Sequence, residues 1–318
     1  MNGSVGRRAR GGVPALLLLG LFSHTAGCGS PEALREPDRP VADNLPARRA
    51  VFTVNYPLAY FAERIGGDRV EVHFPAPPGV DPAEWLPTNE VVAAYQAADL
   101  ILINGAGYAG WISRVALPES RIVDTSGDFT DELIPEAAVT HSHGPQGDHS
   151  HVPSAGTVWL DPSLAMVQAS AVAEALAKVD PEGRADYDAA RAALQTDLEG
   201  LDRELAAAAA ALSEGGIVFS RPVYQYLARR LGVEHRAVHW EPGQAPQGDE
   251  WRLLEQLVRQ EPTRWMIWEG EPHAETATRL AELGLASVVY EVCANRPNGG
   301  DFLDAMRENV ARLRAAAP

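Results

Sequence analysis

From Pro162 to Leu212 the chain reads as helix with one break, and on both sides of that stretch short apolar strands alternate with helices. Few folds satisfy that order. Upstream, apolar runs predict strands at Ala50–Asn55, Arg69–Phe74, Asp99–Asn104 and Arg121–Asp124, with helices at Pro57–Ile65 and near Asn89–Ala97. Downstream, strands are predicted at Ile217–Ser220, Glu234–His239, Arg264–Trp268 and Ala286–Tyr290, with helices at Pro222–Leu231, Glu275–Leu283 and Asp301–Ala315. Runs such as DLILIN, apolar on both faces, suit strands buried in a parallel sheet. The helical stretch divides into Ser163–Val179 and Glu182–Leu212, and no sustained heptad marks either as a coiled coil. The fold class is therefore α/β: two β/α lobes with parallel sheets, joined by one long bridging helix. A ligand cleft is expected between the lobes, because ligands of open α/β sheets bind beyond the carboxyl ends of the strands. The expected boundaries are 49–160 for the N-terminal lobe, 161–185 for the bridging helix and 186–318 for the C-terminal lobe.

Ahead of the first lobe, Arg7, Arg8 and Arg10 precede a ten-residue apolar run, Val13–Phe22, which is too short to span a bilayer. Residues 1–27 thus read as a signal peptide. The small residues Ala26-Gly27 before Cys28 resemble a bacterial lipobox, although Thr25 stands where Leu is usual; ordinary signal cleavage nearby is the alternative. On the lipobox reading Cys28 carries a lipid, and residues 28–48, rich in Pro, Asp, Glu and Arg, form a tether. Cys293 is then left without an intrachain partner, so no disulfide is expected. The net charge is −16, and losing the leader's three arginines makes the chain more acidic still. Such a charge argues against nucleic acid as a partner and is compatible with attracting cations.

Of the nine histidines, His141, His143, His149 and His151 fall within a single loop, 141–151. Imidazole is the commonest protein ligand for zinc and its neighbours. No apolar periodicity surrounds these residues, so packing does not explain them, and contact with a transition metal is the favoured reading over a merely solvated polar loop.

The order of motifs along the chain resembles the zinc/manganese substrate-binding proteins of bacterial ABC importers. The matching segments are Pro78-Gly79-Val80-Asp81-Pro82, the run Ala98 to Gly107 with Trp111 soon after, the His-rich loop ahead of Val158-Trp159-Leu160-Asp161-Pro162, Tyr226 to Gly232, and the Trp268-Glu269 region. The resemblance implies a two-lobed fold bridged by a long rigid helix and a divalent transition metal as cargo, zinc first and manganese second, with no organic cofactor. It also implies an ABC permease as partner, a monomeric state, and an exported, lipid-anchored location facing the periplasm or cell exterior. The family pattern places histidines where this chain has Ala83, Thr157 and Arg221, and an acidic ligand nearest to Glu291. Three imidazoles are therefore replaced, one of them by a permanent cation.

The residues left to serve a cleft are carboxylates near predicted strand ends. Glu84, Asp161, Glu241, Glu269, Glu271 and Glu291 are such positions, with His239 and His273 nearby. Trp85, Trp240 and Trp268 accompany them and suggest a pocket wall. The metal-ligand set is accordingly His141, His143, His149, His151, Glu291, Glu269, His239 and Glu241. Arg221 is expected either to pair with Glu269 or Glu291 or to hold an anionic or metal-chelate ligand, since its fork suits a carboxylate. Catalysis is not expected: the chain carries no Gly-x-Ser-x-Gly, no His-Glu-x-x-His and no phosphate loop. Metal-dependent hydrolysis is the weakest alternative.

Overall fold

A computed structural model describes residues 48–135, 141–142, 148–149, 155–212, 215–234 and 236–316. The leader, the tether up to residue 47 with Cys28, and His143 and His151 lie outside the described residues.

The first sheet has the order β2-β1-β3-β4, all parallel: β1 is Arg49–Thr53, β2 Val70–His73, β3 Leu100–Ile103 and β4 Ile122–Asp124. Helix α1 (Tyr56–Gly66) connects β1 to β2. Its start is fixed by Asn55, whose Oδ1 accepts from the Leu58 N–H, and by Pro57 in the first turn, where a missing N–H costs nothing. Helix α2 (Asn89–Ala97) is capped in the same way by Thr88 and leads into β3. Beyond β3 the chain turns sharply at Gly105, which has φ 71°; a β-carbon there would run into the side chains of Ser126 and Asp124. Glycine alone fits that turn.

In the His-rich loop, β5 (His141–Ser142) and β6 (Asp148–His149) pair antiparallel, with position 141 opposite 149 and 142 opposite 148. Two helices follow. Helix α3 (Pro162–Val179) starts at Asp161, whose Oδ1 accepts from the Ser163 N–H. It packs on α1 and β3. Helix α4 (Arg184–Ala211) buries Leu194, Leu198, Leu201, Leu205 and Ala208, spaced by fours and threes along one face. That face meets α1 and α3 on one side and α5 (Gln225–Leu231) and α8 (Phe302–Ala316) on the other. The expected bridging segment, 161–185, thus coincides with α3 and the turn after it. Helix α4, through its length and continuous apolar stripe, touches elements of both halves, and α1 also meets α8 through Tyr60 and Phe61 against Phe302.

The second sheet is β7 (Gly216–Phe219), β8 (Thr263–Trp268) and β9 (Ala286–Val289), again parallel. The strand expected at Glu234–His239 is reduced to a parallel bridge between Phe219 and Ala237, although the Val238 N–H still donates to Phe219 O. Side chains along β7 and β8 alternate between two cores. Ile217, Phe219, Trp265 and Ile267 face the large core shared with the first sheet. Val218, Met266 and Trp268 face a smaller one closed by α6 (Gly248–Gln260) and α7 (Ala274–Glu282). Burial on both faces is why β8 reads as a continuous apolar run. Residues 46–318 form one compact unit rather than two separable domains. Among the described residues no helix is long and apolar enough to cross a membrane.

Candidate functional site

Loops from both sheets border a cavity of about 990 Å3. Most of them follow the carboxyl end of a parallel strand: 79–84 after β2, 107–109 after β3, 221–225 after β7, 269–271 after β8 and 289–298 after β9. Residues 156–157, ahead of α3, complete the wall. Two of these loops hold non-glycine residues in the left-handed region, Ala109 at φ 56° and Cys293 at φ 57°. Backbone so disfavoured persists only where surrounding structure fixes it.

Ala83, Thr157, Arg221 and Glu291 all line this cavity. Thr157 is buried, and its hydroxyl donates to Val223 O, joining the loop before α3 to the loop after β7. The Ala83 N–H donates to Asp81 Oδ1 at 2.9 Å, so the Asp81 carboxylate is partly engaged by its own loop. The Arg221 guanidinium lies 3.2 Å from Glu269 Oε2 through Nη1 and 3.4 Å from Glu241 Oε1 through Nε. Of the two partners considered for Arg221, the structure selects Glu269. Glu291 instead faces Arg312 at 3.6 Å, and its backbone is held by a reciprocal pair of hydrogen bonds with the Asn309 amide, both 2.8 Å.

Burial would lower the Arg221 guanidinium, but Glu269 and Glu241, with Asp81 and Glu84 further off, hold it above its ordinary value. The opposite balance governs Glu269. Burial, reinforced by Asp81 and Glu241, outweighs Arg221 and pushes its carboxyl up to about 7. Only one of its oxygens is satisfied: Oε2 accepts from Arg221, whereas Oε1 is buried without a partner. The phenol of Tyr108, also on the cavity wall, is buried with no partner.

Several sequence-selected residues stand elsewhere. His239 is exposed and does not line the cavity; His273 sits at the start of α7, also off the wall. Asp161 caps α3 and takes Arg229 Nη2 at 2.9 Å, a structural role. Trp240 and Trp268 are fully enclosed in the smaller core, and Trp85 packs edge-on against Trp111 at 6.4 Å. None of the three indoles lines the cavity: Trp240 and Trp268 fill the smaller core, and Trp85 sits half-buried in the loop after β2. Glu84, Glu241, Glu269, Glu271 and Glu291 do line the cavity, together with Asp81, Tyr108 and Arg312, which the sequence reading had not selected. Asp81 had a visible signal in its Pro-Gly-Val-Asp-Pro setting; Tyr108 and Arg312 had none. Among the described residues no group of three or more His, Cys, Asp or Glu side chains is placed to hold a metal ion.

Two parallel sheets, a long helix touching both halves, and a cleft beyond the strand ends define a two-lobed solute-binding protein. The family model for the ZnuA family, the periplasmic component A of the zinc-uptake complex, matches residues 51–316, and the chain belongs to that family. The high-affinity zinc uptake system protein ZnuA of Bacillus subtilis is 22% identical over 92% of this chain and 93% of its own length. The zinc-binding lipoprotein AdcA of Streptococcus pneumoniae is also 22% identical, over 83% of this chain, but the match spans only 55% of AdcA. Among solved structures, the metal-dependent lipoprotein YcdH of Bacillus subtilis has a TM-score of 0.71 at 21% identity, covering 84% of this chain and 98% of that one. The Zn(II)-bound ZnuA-like domain of Streptococcus pneumoniae AdcA gives 0.69 at 19% identity, covering 85% and 99%.

Proposed function

We propose that this chain is the extracytoplasmic solute-binding component of an ABC metal importer, with zinc as its cargo. The observation that carries the reading is the match of nearly the whole described domain to a zinc-uptake family, with a cleft lined by positions 83, 157, 221 and 291, which the sequence resemblance matches to the family's ligands. The chain is a binding protein and not an enzyme. Its metal donors are the histidines of the 141–151 loop for first capture, and Glu241, Glu269 and Glu291 in the cleft for holding or passing the ion. Imidazole favours zinc, while the carboxylates leave room for manganese. A lipid on Cys28 and the following tether would keep the monomeric domain near its permease.

Elemental analysis and competitive zinc titration of the mature chain, beside a chain lacking His141–His151, test this. Zinc bound by the intact chain at micromolar concentration or below is expected. A chain that binds no zinc in any form would refute the reading. Cys28→Ser is expected to abolish labelling by fatty acid and release the protein from membranes; membrane association unchanged by that substitution would remove the anchor from the proposal.

A further inference from the structure

The cavity walls carry six carboxylates, Asp81, Glu84, Glu241, Glu269, Glu271 and Glu291, against the three guanidinium groups of Arg221, Arg296 and Arg312. Neither a bare cation nor a free anion suits that arrangement. A bare dication needs three or four converging donors, and among the described residues no such group exists, while the Arg221 guanidinium on the wall repels it. A free polyanion would meet the surplus of carboxylates, which opposes it.

Size points the same way. Metal–ligand bonds are about 2 Å long, so a single ion would leave most of a cavity of about 990 Å3 to solvent. Small organic ligands typically occupy pockets of roughly 300–1,000 Å3.

Unsatisfied polar atoms complete the pattern. Arg221 uses Nη1 on Glu269 and Nε on Glu241, and its Nη2 has no protein partner among the described residues. The Tyr108 phenol oxygen and Glu269 Oε1 are unpartnered too, but both are sealed behind the wall rather than open to the cavity. The Arg221 Nη2 is not among the sealed atoms, so it is the group on this wall free to meet a ligand, and as a donor it asks for an acceptor such as a carboxylate oxygen.

From this we infer that the cleft takes its metal as a complex with a small carboxylate-bearing chelator. Arg221 holds the chelator's carboxylate, and Glu241, Glu269 and Glu291 face the metal side. This deepens the importer reading and rests on it. Arg221 becomes the residue that sets specificity for the complex over the free ion.

The test removes the competing loop by substitution, replacing His141, His143, His149 and His151 together with alanine in the mature chain. Calorimetric titrations then use zinc alone, citrate alone, zinc premixed with citrate, and zinc premixed with nitrilotriacetate. One-to-one binding of at least one premixed complex is expected, at least tenfold tighter than zinc or chelator alone. Arg221→Ala is expected to weaken it at least tenfold, and Arg221→Lys to recover only part, because the planar fork is lost. Circular dichroism confirms that each variant is folded. Zinc alone binding as tightly as the complexes, chelator alone binding as tightly, neither complex binding, or Arg221→Ala leaving affinity unchanged or raised would each overturn the inference. If the chain with its histidines intact still binds zinc in those cases, the importer reading survives; if it binds none, both fail.

Discussion

Arg221 Nη1 lies 3.2 Å from Glu269 Oε2 on the wall of the cleft. The ion pair is half-enclosed, with each side chain 21% exposed, and Glu241 supplies a second carboxylate from the rim. A fixed cation of the protein itself thus stands on the cleft wall, and the electrostatics of the cleft follow from it.

Glu269 makes stability depend on pH in an unusual sense. Its carboxyl titrates near 7 when folded, against an ordinary value of 4.5. Between those values the folded chain keeps a proton that the unfolded chain releases. Stability is therefore greatest below the lower value and declines as pH rises through the upper one, by at most about 3 kcal/mol. Urea midpoints measured with chelator present are expected to fall from pH 5 to pH 8 in the parent chain and to fall less in Glu269→Gln. Equal slopes in the two proteins would show that another group is responsible.

Restoring imidazole should restore a bare-metal site. Ala83, Thr157 and Arg221 line one cavity with Glu291, so the triple variant Ala83→His, Thr157→His, Arg221→His is expected to bind zinc one-to-one at least a hundredfold tighter than its parent. Competitive titration with the loop histidines replaced in both proteins reads this directly. No gain would mean that the loops hold these positions too far apart to share an ion.

The indole of Trp240 serves packing and not the ligand. It meets Trp251 edge-on at 4.8 Å and is 2% exposed in the smaller core. Trp240→Ala is expected to cost about 3–5 kcal/mol in urea denaturation, while the stoichiometry of ligand binding at low temperature stays the same. Loss of binding from a chain of unchanged stability would place the ring in the site after all.

A buried amide network supports the wall from behind. Asn104 Oδ1 accepts from Asn55 Nδ2 at 3.0 Å and from Gln168 Nε2 at 3.2 Å, and its own Nδ2 donates to Gly156 O at 2.8 Å, next to Thr157. Asn104→Ala strands these partners away from water and is expected to cost about 2–4 kcal/mol. Chemical denaturation checks the figure, and a change below about 1 kcal/mol would mean that the network rearranges freely.

Much of the fold was legible because its signals are local. Pro57 and Asn55 mark the start of α1, and Asp161-Pro162 the start of α3, before any tertiary contact is considered. Helix α6 was missed although its signals are local: Gln247 and Glu250 make its capping box, and Trp251, Leu254, Leu257 and Val258 recur on one face. The Glu234–His239 strand was overread, since its pairing beyond Phe219 depends on a neighbour the segment cannot specify. At the site, the sequence marked Glu241, Glu269 and Glu291 as strand-end acids but could not separate them from Asp161, whose carboxylate is consumed by α3 and Arg229.

The sequence by itself determined the alternation of strands and helices and the caps that bound them. Those are properties of neighbouring residues and of spacing. The tertiary structure decided which charges meet: Arg221 reaches Glu269 and Glu241 while Glu291 turns to Arg312. It also set α4 against elements of both halves and sent Trp240 and Trp268 into a core. Such outcomes depend on the order of strands in two sheets and on how loops far apart in the chain are set against each other. A difference of one residue in register or one turn of helix would exchange every partner, and only the packed fold fixes that choice.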